Sequence, residues 1–309
     1  MKKLFLGTAL SVLLAASAHA ASIGVSMAAF DDNFLTVLRN GMQDYAHGLK
    51  DVNLQIEDAQ NDISRQQSQI QNFIAGGVSA IIVNPVDTDA TAALSSMAEK
   101  AGIPLVYVNR RPVNVDKLPA KQAFVGSNEH QAGTLETEAV CHLLHGKGNA
   151  VIIMGELSNQ AARVRTQAVK DLAGKGDCAG LKIIQEQTAN WSRTQASDLV
   201  TNWLSAGLNF DAVISNNDEM AIGAIQALKA SGKSMDKVVV AGVDATQDAL
   251  ASMAAGDLKV TVFQNAKGQA QGAVDAALKL SKGEKVEKDI NIPFELVTPE
   301  NLAKYQKKN

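Results

Sequence analysis

Beyond residue 20 the chain alternates short runs of β-branched and other apolar residues with longer stretches whose apolar positions recur every three or four residues. The short runs read as strands at 23–27, 54–57, 80–84, 105–109 and 123–125, and in a second series at 150–154, 181–185, 212–215, 238–243 and 260–263. Most are near-continuous apolar runs, as a parallel strand covered on both faces requires. The amphipathic stretches predict helices at about 33–47, 63–75, 90–100, 130–144, 161–173, 193–205, 219–230, 247–254 and 268–280. Gly76-Gly77, Gly102, Gly146, Gly207, Gly232 and Gly256 follow several of these helices, where a left-handed C-cap favours glycine. Regular alternation of strand and helix is the rhythm of a doubly wound parallel sheet, and two series of strands predict two similar α/β lobes. No long Pro, Gly or Ser linker separates them, so tight crossings forming a multi-strand hinge should join the lobes, the first at 127–129. The expected division is 21–127 plus about 265–293 for the N-terminal lobe, and 128–264 plus about 294–309 for the C-terminal lobe.

The first twenty residues follow a different pattern. Lys2 and Lys3 precede an uncharged, mostly apolar stretch over 4–16, and Ala18-His19-Ala20 is a small-residue cleavage box. This reads as a secretory signal peptide, expected to be cleaved after Ala20, since a membrane anchor needs about 20 apolar residues. The mature protein should therefore be exported to the periplasm. Its two cysteines, Cys141 and Cys178, should pair there as a disulfide, a local brace in the second lobe. The 309 residues carry 46% apolar and 20% charged residues, enough for real cores and against disorder. A net charge of −3 lacks the basic footprint that phosphate binding needs, which argues against nucleic acid as a partner.

In open α/β sheets the ligand lies beyond the carboxyl ends of the strands, so the residues after each run carry the chemistry. In order they include Phe30, Asp31, Asp32 and Phe34; Asp58 and Gln60; Asn84; Asn109 and Arg110; Arg163 and Arg165; Asn190 and Trp191; Asn217 and Asp218; Asp244; and Gln264. Turn preference accounts for any one Asn or Asp. It does not account for their accumulation, or for the arginines and a tryptophan among them. Carboxylates and amides bond vicinal hydroxyls, Arg offers a rigid fork of donors, and an aromatic face covers C–H surface, which together make a polyol site. Arg110 and Arg165 follow small or apolar residues, so each should be a buried guanidinium answered by Asp32 or Asp244.

Catalytic and cofactor patterns are scarce. There is no Gly-x-Ser-x-Gly elbow, no His-Glu-x-x-His and no phosphate-binding Gly-rich loop followed by Lys and Ser or Thr. Gly146-Lys147-Gly148 precedes its strand and reads as a helix-to-strand turn. His142 and His145 have helical metal spacing beside Cys141, but no third and fourth ligands accompany them. No metal, no cofactor and no enzymatic activity are expected.

These residues resemble the periplasmic sugar-binding proteins of ABC importers with the ribose-binding, type I fold, over 22 to about 298. The segments that carry the resemblance are Phe30-Asp-Asp-Asn-Phe34, Val83-Asn-Pro-Val-Asp-Thr-Asp89, Gly102-Ile-Pro104, Val108-Asn-Arg110, Ala161-Ala-Arg-Val-Arg165, Asn217-Asp-Glu-Met-Ala-Ile-Gly223, Gly242-Val-Asp244 and Phe263-Gln264. The first of them, with Gln187-Thr-Ala-Asn-Trp-Ser-Arg193, is most similar to the inositol- and rhizopine-binding branch. The resemblance implies a monomer that closes two lobes around one cyclic polyol and delivers it to an ABC transporter permease. It implies contacts from Asp32, Phe34, Asn84, Asn109 and Arg110 in the first lobe and from Arg165, Trp191, Asn217 and Asp244 in the second. Gln264 would reach the ligand from a hinge crossing, and Phe30 would wall the pocket. Ribose binders have Asn and Asp where this chain has Asp32 and Asn109, so the carboxylate has changed place. The alternatives are a binder of a pentose or hexose, a ligand carrier for a membrane receptor, and an exported sugar-modifying enzyme.

Overall fold

The computed structural model describes residues 20–308, so the leader expected at 1–20 lies, but for Ala20, outside the described residues. The first half of the chain runs β1 (Ala21–Met27), α1 (Asn33–His47), β2 (Val52–Asp58), α2 (Ile63–Ala75), β3 (Ala80–Val83), α3 (Thr91–Ala101), β4 (Leu105–Asn109) and β5 (Gln122–Gly126). It continues with α4 (Glu129–Leu143), β6 (Lys147–Met154), α5 (Gln160–Leu172), β7 (Gly180–Thr188), α6 (Arg193–Ser205), β8 (Ala212–Ser215), α7 (Asp218–Ala230), β9 (Val239–Ala241) and α8 (Gln247–Ala254). The last elements are β10 (Thr261–Phe263), α9 (Ala266–Ser281), β11 (Asp289–Asn291) and β12 (Glu295–Val297).

The local rules are visible in α1. Asp32 caps it by accepting from the Leu35 amide, and Phe34, Leu35, Leu38, Met42 and Ala46 form its buried stripe. The helix α3 ends at Gly102, whose φ of 71° lets its amide close back on the Ala98 and Glu99 carbonyls.

Six strands form one sheet in the order β11-β5-β4-β3-β1-β2, and four form another in the order β7-β6-β8-β9. Every pairing within these two sheets is parallel. We call them the first and second lobes. Each sheet is covered on both faces, the first by a core of β1, β4 and β5 residues with α1 and α9 on one side and by Ile70, Phe73 and Leu94 from α2 and α3 on the other. In the second lobe α6, α7 and α8 cover one face and Val140 and Val169 from α4 and α5 the other.

The fifth strand of the second series departs from expectation. β10 pairs antiparallel with β12 and meets the second sheet only through isolated bridges, Ala241 with Val260 and Asp244 with Phe263. At the second bridge the chain leaves the extended conformation, with Asp244 at φ 124° and Ala245 at φ 52°. The chain crosses between the lobes at 127–128, at 264–265 and at 292–294. Cys141 and Cys178 are joined, with Cα atoms 5.3 Å apart, so α4 is tied to the turn before β7 and Cys141 is withdrawn from His142 and His145.

Candidate functional site

Residues that follow the carboxyl ends of strands in both lobes converge on one cavity of ≈ 390 Å³, its open mouth included. From the first lobe come Asp32, Phe34, Leu35, Asn109 and Arg110; from the second, Glu129, Ala161, Arg165, Trp191, Asn217 and Asp244; and Gln264 enters from a crossing. Bonds across the cleft close the cavity. Thr88 donates through N–H and Oγ1 to the Ser158 carbonyl at 3.2 and 2.9 Å, and Asn33 donates to Glu219 at 2.7 Å.

Arg165 is held by three hydrogen bonds. Its Nε donates to Glu129 Oε2 at 2.6 Å, one NH group donates to the Asn216 carbonyl at 2.6 Å, and the other to Gln264 Oε1 at 3.3 Å. The guanidinium lies 5.9 Å from the Trp191 ring centre and 5.6 Å from that of Phe294. Burial works against its charge, but Glu129 and Asp244 outweigh it and hold the pKa above the ordinary value. The carboxylate that accepts from the Arg165 Nε is Glu129, while Asp244 lies near enough for its field to support the same guanidinium, as the sequence led us to expect. Arg110 donates to the carbonyls of Pro85 and Val86 at 3.0 and 3.5 Å. Arg110 also lines the cavity. Burial lowers its pKa, opposed by the fields of Asp32 and Glu156.

The carboxyls are pushed the other way. Burial raises Asp32, against the Leu35 amide and Arg110, and raises Asp244 well above the carboxylate range, against Arg165. Behind them burial likewise raises Glu136 and Asp218, the latter to about 7 although Thr261 and the Thr246 amide donate to it. Several site residues also hold unusual backbone: Asn109 (φ 65°), Trp191 (φ 64°) and Asp244 (φ 124°) are left-handed without being glycine. Such conformations cost on the order of 1–3 kcal/mol each and gather where a ligand must be met. Trp191 is half-buried, its ring over Gly155, where a Cβ would lie 2.2 Å from the ring. Its Nε1 donates to Asn159 at 2.9 Å.

Two expected contacts stand back from the cavity. Asn84 is fully buried and works behind the wall, accepting from the Ala28 amide and donating to the Val108 carbonyl and to Asn109 Oδ1 at 3.2 Å. It positions Asn109. Phe30 turns its ring to Arg39, whose guanidinium carbon sits 4.3 Å from the ring centre. Asp32 and Asn217 do line the cavity while also capping α1 and α7, so their turn role and their site role coexist.

Residues 23–285 match the periplasmic binding protein domain family. The chain belongs to the periplasmic binding proteins. This is a family of solute binders rather than enzymes, located in the periplasm, and its sugar- and polyol-binding members work with ABC importers. This binding protein is 67% identical, over all of both chains, to a Rhizobium meliloti protein whose name assigns it provisionally to rhizopine binding. It superposes with a TM-score of 0.90 on an ABC transporter solute-binding protein from Bacillus halodurans with bound myo-inositol, at 44% identity, covering 95% of this chain and 100% of that one. A Caulobacter myo-inositol binding protein bound to myo-inositol gives 0.85 at 29% identity, covering 94% and 97%.

The sequence reading missed Glu129, Leu35 and Ala161. Glu129 was findable, because it follows the end of β5 as the other site residues follow theirs.

Proposed function

We propose that this binding protein captures one cyclic polyol, myo-inositol or a related cyclitol, between its lobes and delivers it to an ABC transporter permease. It acts as a monomer in the periplasm after cleavage behind Ala20. Arg110, Asp32 and Asn109 hold the ligand's hydroxyls from one side, and Arg165, Asn217, Asp244 and Gln264 from the other, with Phe34 and Trp191 against its C–H faces. The observation that carries this reading is the cavity's lining of opposed carboxyl and guanidinium groups drawn from both lobes. The likeness to two solute-binding proteins holding myo-inositol supports the choice of a cyclitol. Each lobe provides part of the hydrogen-bonding shell, so a ligand satisfies both only in the closed state and shifts the hinge equilibrium toward closure.

Thermal-shift screening of the mature protein against inositols, pentoses and hexoses tests the reading. A ligand at a hundred times its Kd stabilises the native state by about 2.7 kcal/mol, which is several degrees of melting temperature. An inositol should give the largest shift. A larger shift with a pentose or hexose would transfer the site to that sugar, and no shift with any polyol would refute the proposal.

A further inference from the structure

The first turn of α5 meets the first lobe beside the cavity, and its capping is unusual. Asn159 occupies the N-cap position with extended backbone (φ −98°, ψ 126°), yet its side chain makes no capping bond. An asparagine so placed ordinarily accepts from an amide in the helix's first turn. Here its Oδ1 accepts from Trp191 Nε1 at 2.9 Å, and its Nδ2 donates across the cleft to the Val86 carbonyl at 3.0 Å. The helix end is served from the opposite lobe instead. Thr88 Oγ1 accepts from the Gln160 amide at 3.0 Å while donating to the Ser158 carbonyl. Thr88 and Asn159 are both fully buried, and neither borders the cavity.

The Arg163–Asp89 ion pair and the Asn33–Glu219 bond also cross the cleft, but both are exposed and contribute little. The buried exchange at α5 is therefore where closure acquires direction. The Val86 carbonyl also receives Arg110, and α5 carries Arg165, so the same few atoms touch the supports of both arginines.

We propose that Thr88 and Asn159 are positioning residues that couple lobe closure to the placement of Trp191 and α5. In the closed molecule Thr88 holds the first amide of α5 from the other lobe, while the Asn159 side chain is turned from its own helix end to the Trp191 ring and the Val86 carbonyl. On opening, Asn159 returns to its own helix end and Trp191 loses its polar anchor. The inference rests on the interlobe site proposed above.

Stopped-flow binding of myo-inositol, or of the polyol that the thermal screen selects, tests it with three variants. Thr88→Val removes the hydroxyl at nearly constant shape, and Thr88→Ser restores it. Asn159→Asp keeps an acceptor for Trp191, loses the donor to Val86, and gives α5 a strong cap of its own. The latch forms after encounter, so the dissociation rate should rise about 5–20-fold in Thr88→Val with the association rate unchanged, as for loss of two hydrogen bonds. Thr88→Ser should behave as wild type. Asn159→Asp should weaken binding, shrink the ligand-induced change in Trp191 fluorescence, and leave the ligand-free melting temperature equal or higher. A merely structural role would instead lower that temperature in step with affinity. Dissociation within about twofold of wild type in both Thr88→Val and Asn159→Asp overturns the latch while leaving the site standing. Wild-type protein that binds no polyol overturns the site, and the latch with it.

Discussion

Replacing Arg165 by alanine should damage the ligand-free fold, whereas replacing Arg110 should damage affinity. The reason lies in what each guanidinium leaves behind. The side chains of Arg165 and Glu129 are 4% and 2% exposed, so Arg165→Ala leaves a buried carboxylate without its cationic partner. Removing one partner of a buried pair costs about 3–5 kcal/mol. The bonds that Arg165 gives to the Asn216 carbonyl and the Gln264 amide fall within that range rather than adding fully to it, since groups in one network do not contribute independently. At about 2–4 °C per kcal/mol for a chain of this size, the melting temperature should fall by roughly 6–20 °C. Urea unfolding of the ligand-free protein, followed by circular dichroism, measures the loss. Adding Glu129→Gln to Arg165→Ala removes the stranded charge and should recover a substantial part of it. Among the described residues Arg110 donates to two backbone carbonyls, so Arg110→Ala should cost the ligand-free fold about 1–2 kcal/mol and the affinity about 2–5 kcal/mol. The reasoning fails if Arg165→Ala unfolds at the wild-type urea concentration, or if the double variant is no more stable than the single one.

Reduction of the Cys141–Cys178 bond, which spans 37 residues, should cost about 4 kcal/mol of stability in the chain-entropy model, read from urea midpoints with and without reductant; an unchanged midpoint would contradict this. Trp191→Ala should weaken ligand binding by about 1–3 kcal/mol, measured by calorimetry, with the fold retained; unchanged affinity would remove Trp191 from the site. Burial raises the carboxyls of Asp32, Asp244 and Asp218, so the folded state holds protons that the unfolded chain releases at about pH 4. Their contribution to ligand-free stability is therefore present below about pH 4 and is lost as pH rises through the raised values, about 7 for Asp218. Melting temperature should fall between about pH 5 and pH 8, and Asp218→Asn should flatten the fall; a temperature that rises over that interval would refute the assignment.

The period of the apolar positions made most of the fold legible. β3 and β4 are four and five consecutive buried residues, and α1 has its boundaries at the residues that the amphipathic pattern and the preceding Asp32 mark. β11 and β12 were not legible. Each is three residues long, β11 is polar and largely exposed, and both exist through distant partners, β5 and β10. At the site, the strand-end rule found the two arginines, Trp191 and Asp244. It could not distinguish a strand-end asparagine that borders the cavity, such as Asn109, from one that holds its neighbour in place, as Asn84 does. Glu129 was obscured because an acidic residue in the first turn of a helix already has a reason to be there, the helix dipole. The crossed caps at Thr88 and Asn159 leave no trace in the sequence, since each residue's partner lies in the other lobe.

The central claim, capture of one cyclitol by a shell drawn from both lobes, is tested most directly by calorimetric titration of the mature protein with myo-inositol beside its Arg110→Ala and Asp244→Asn variants. One variant alters each lobe's share of the shell. The account predicts saturable one-to-one binding to the wild type and an affinity at least about tenfold weaker in each variant. Wild-type affinity retained in both variants, or no heat of binding in the wild type with any inositol isomer, would contradict it.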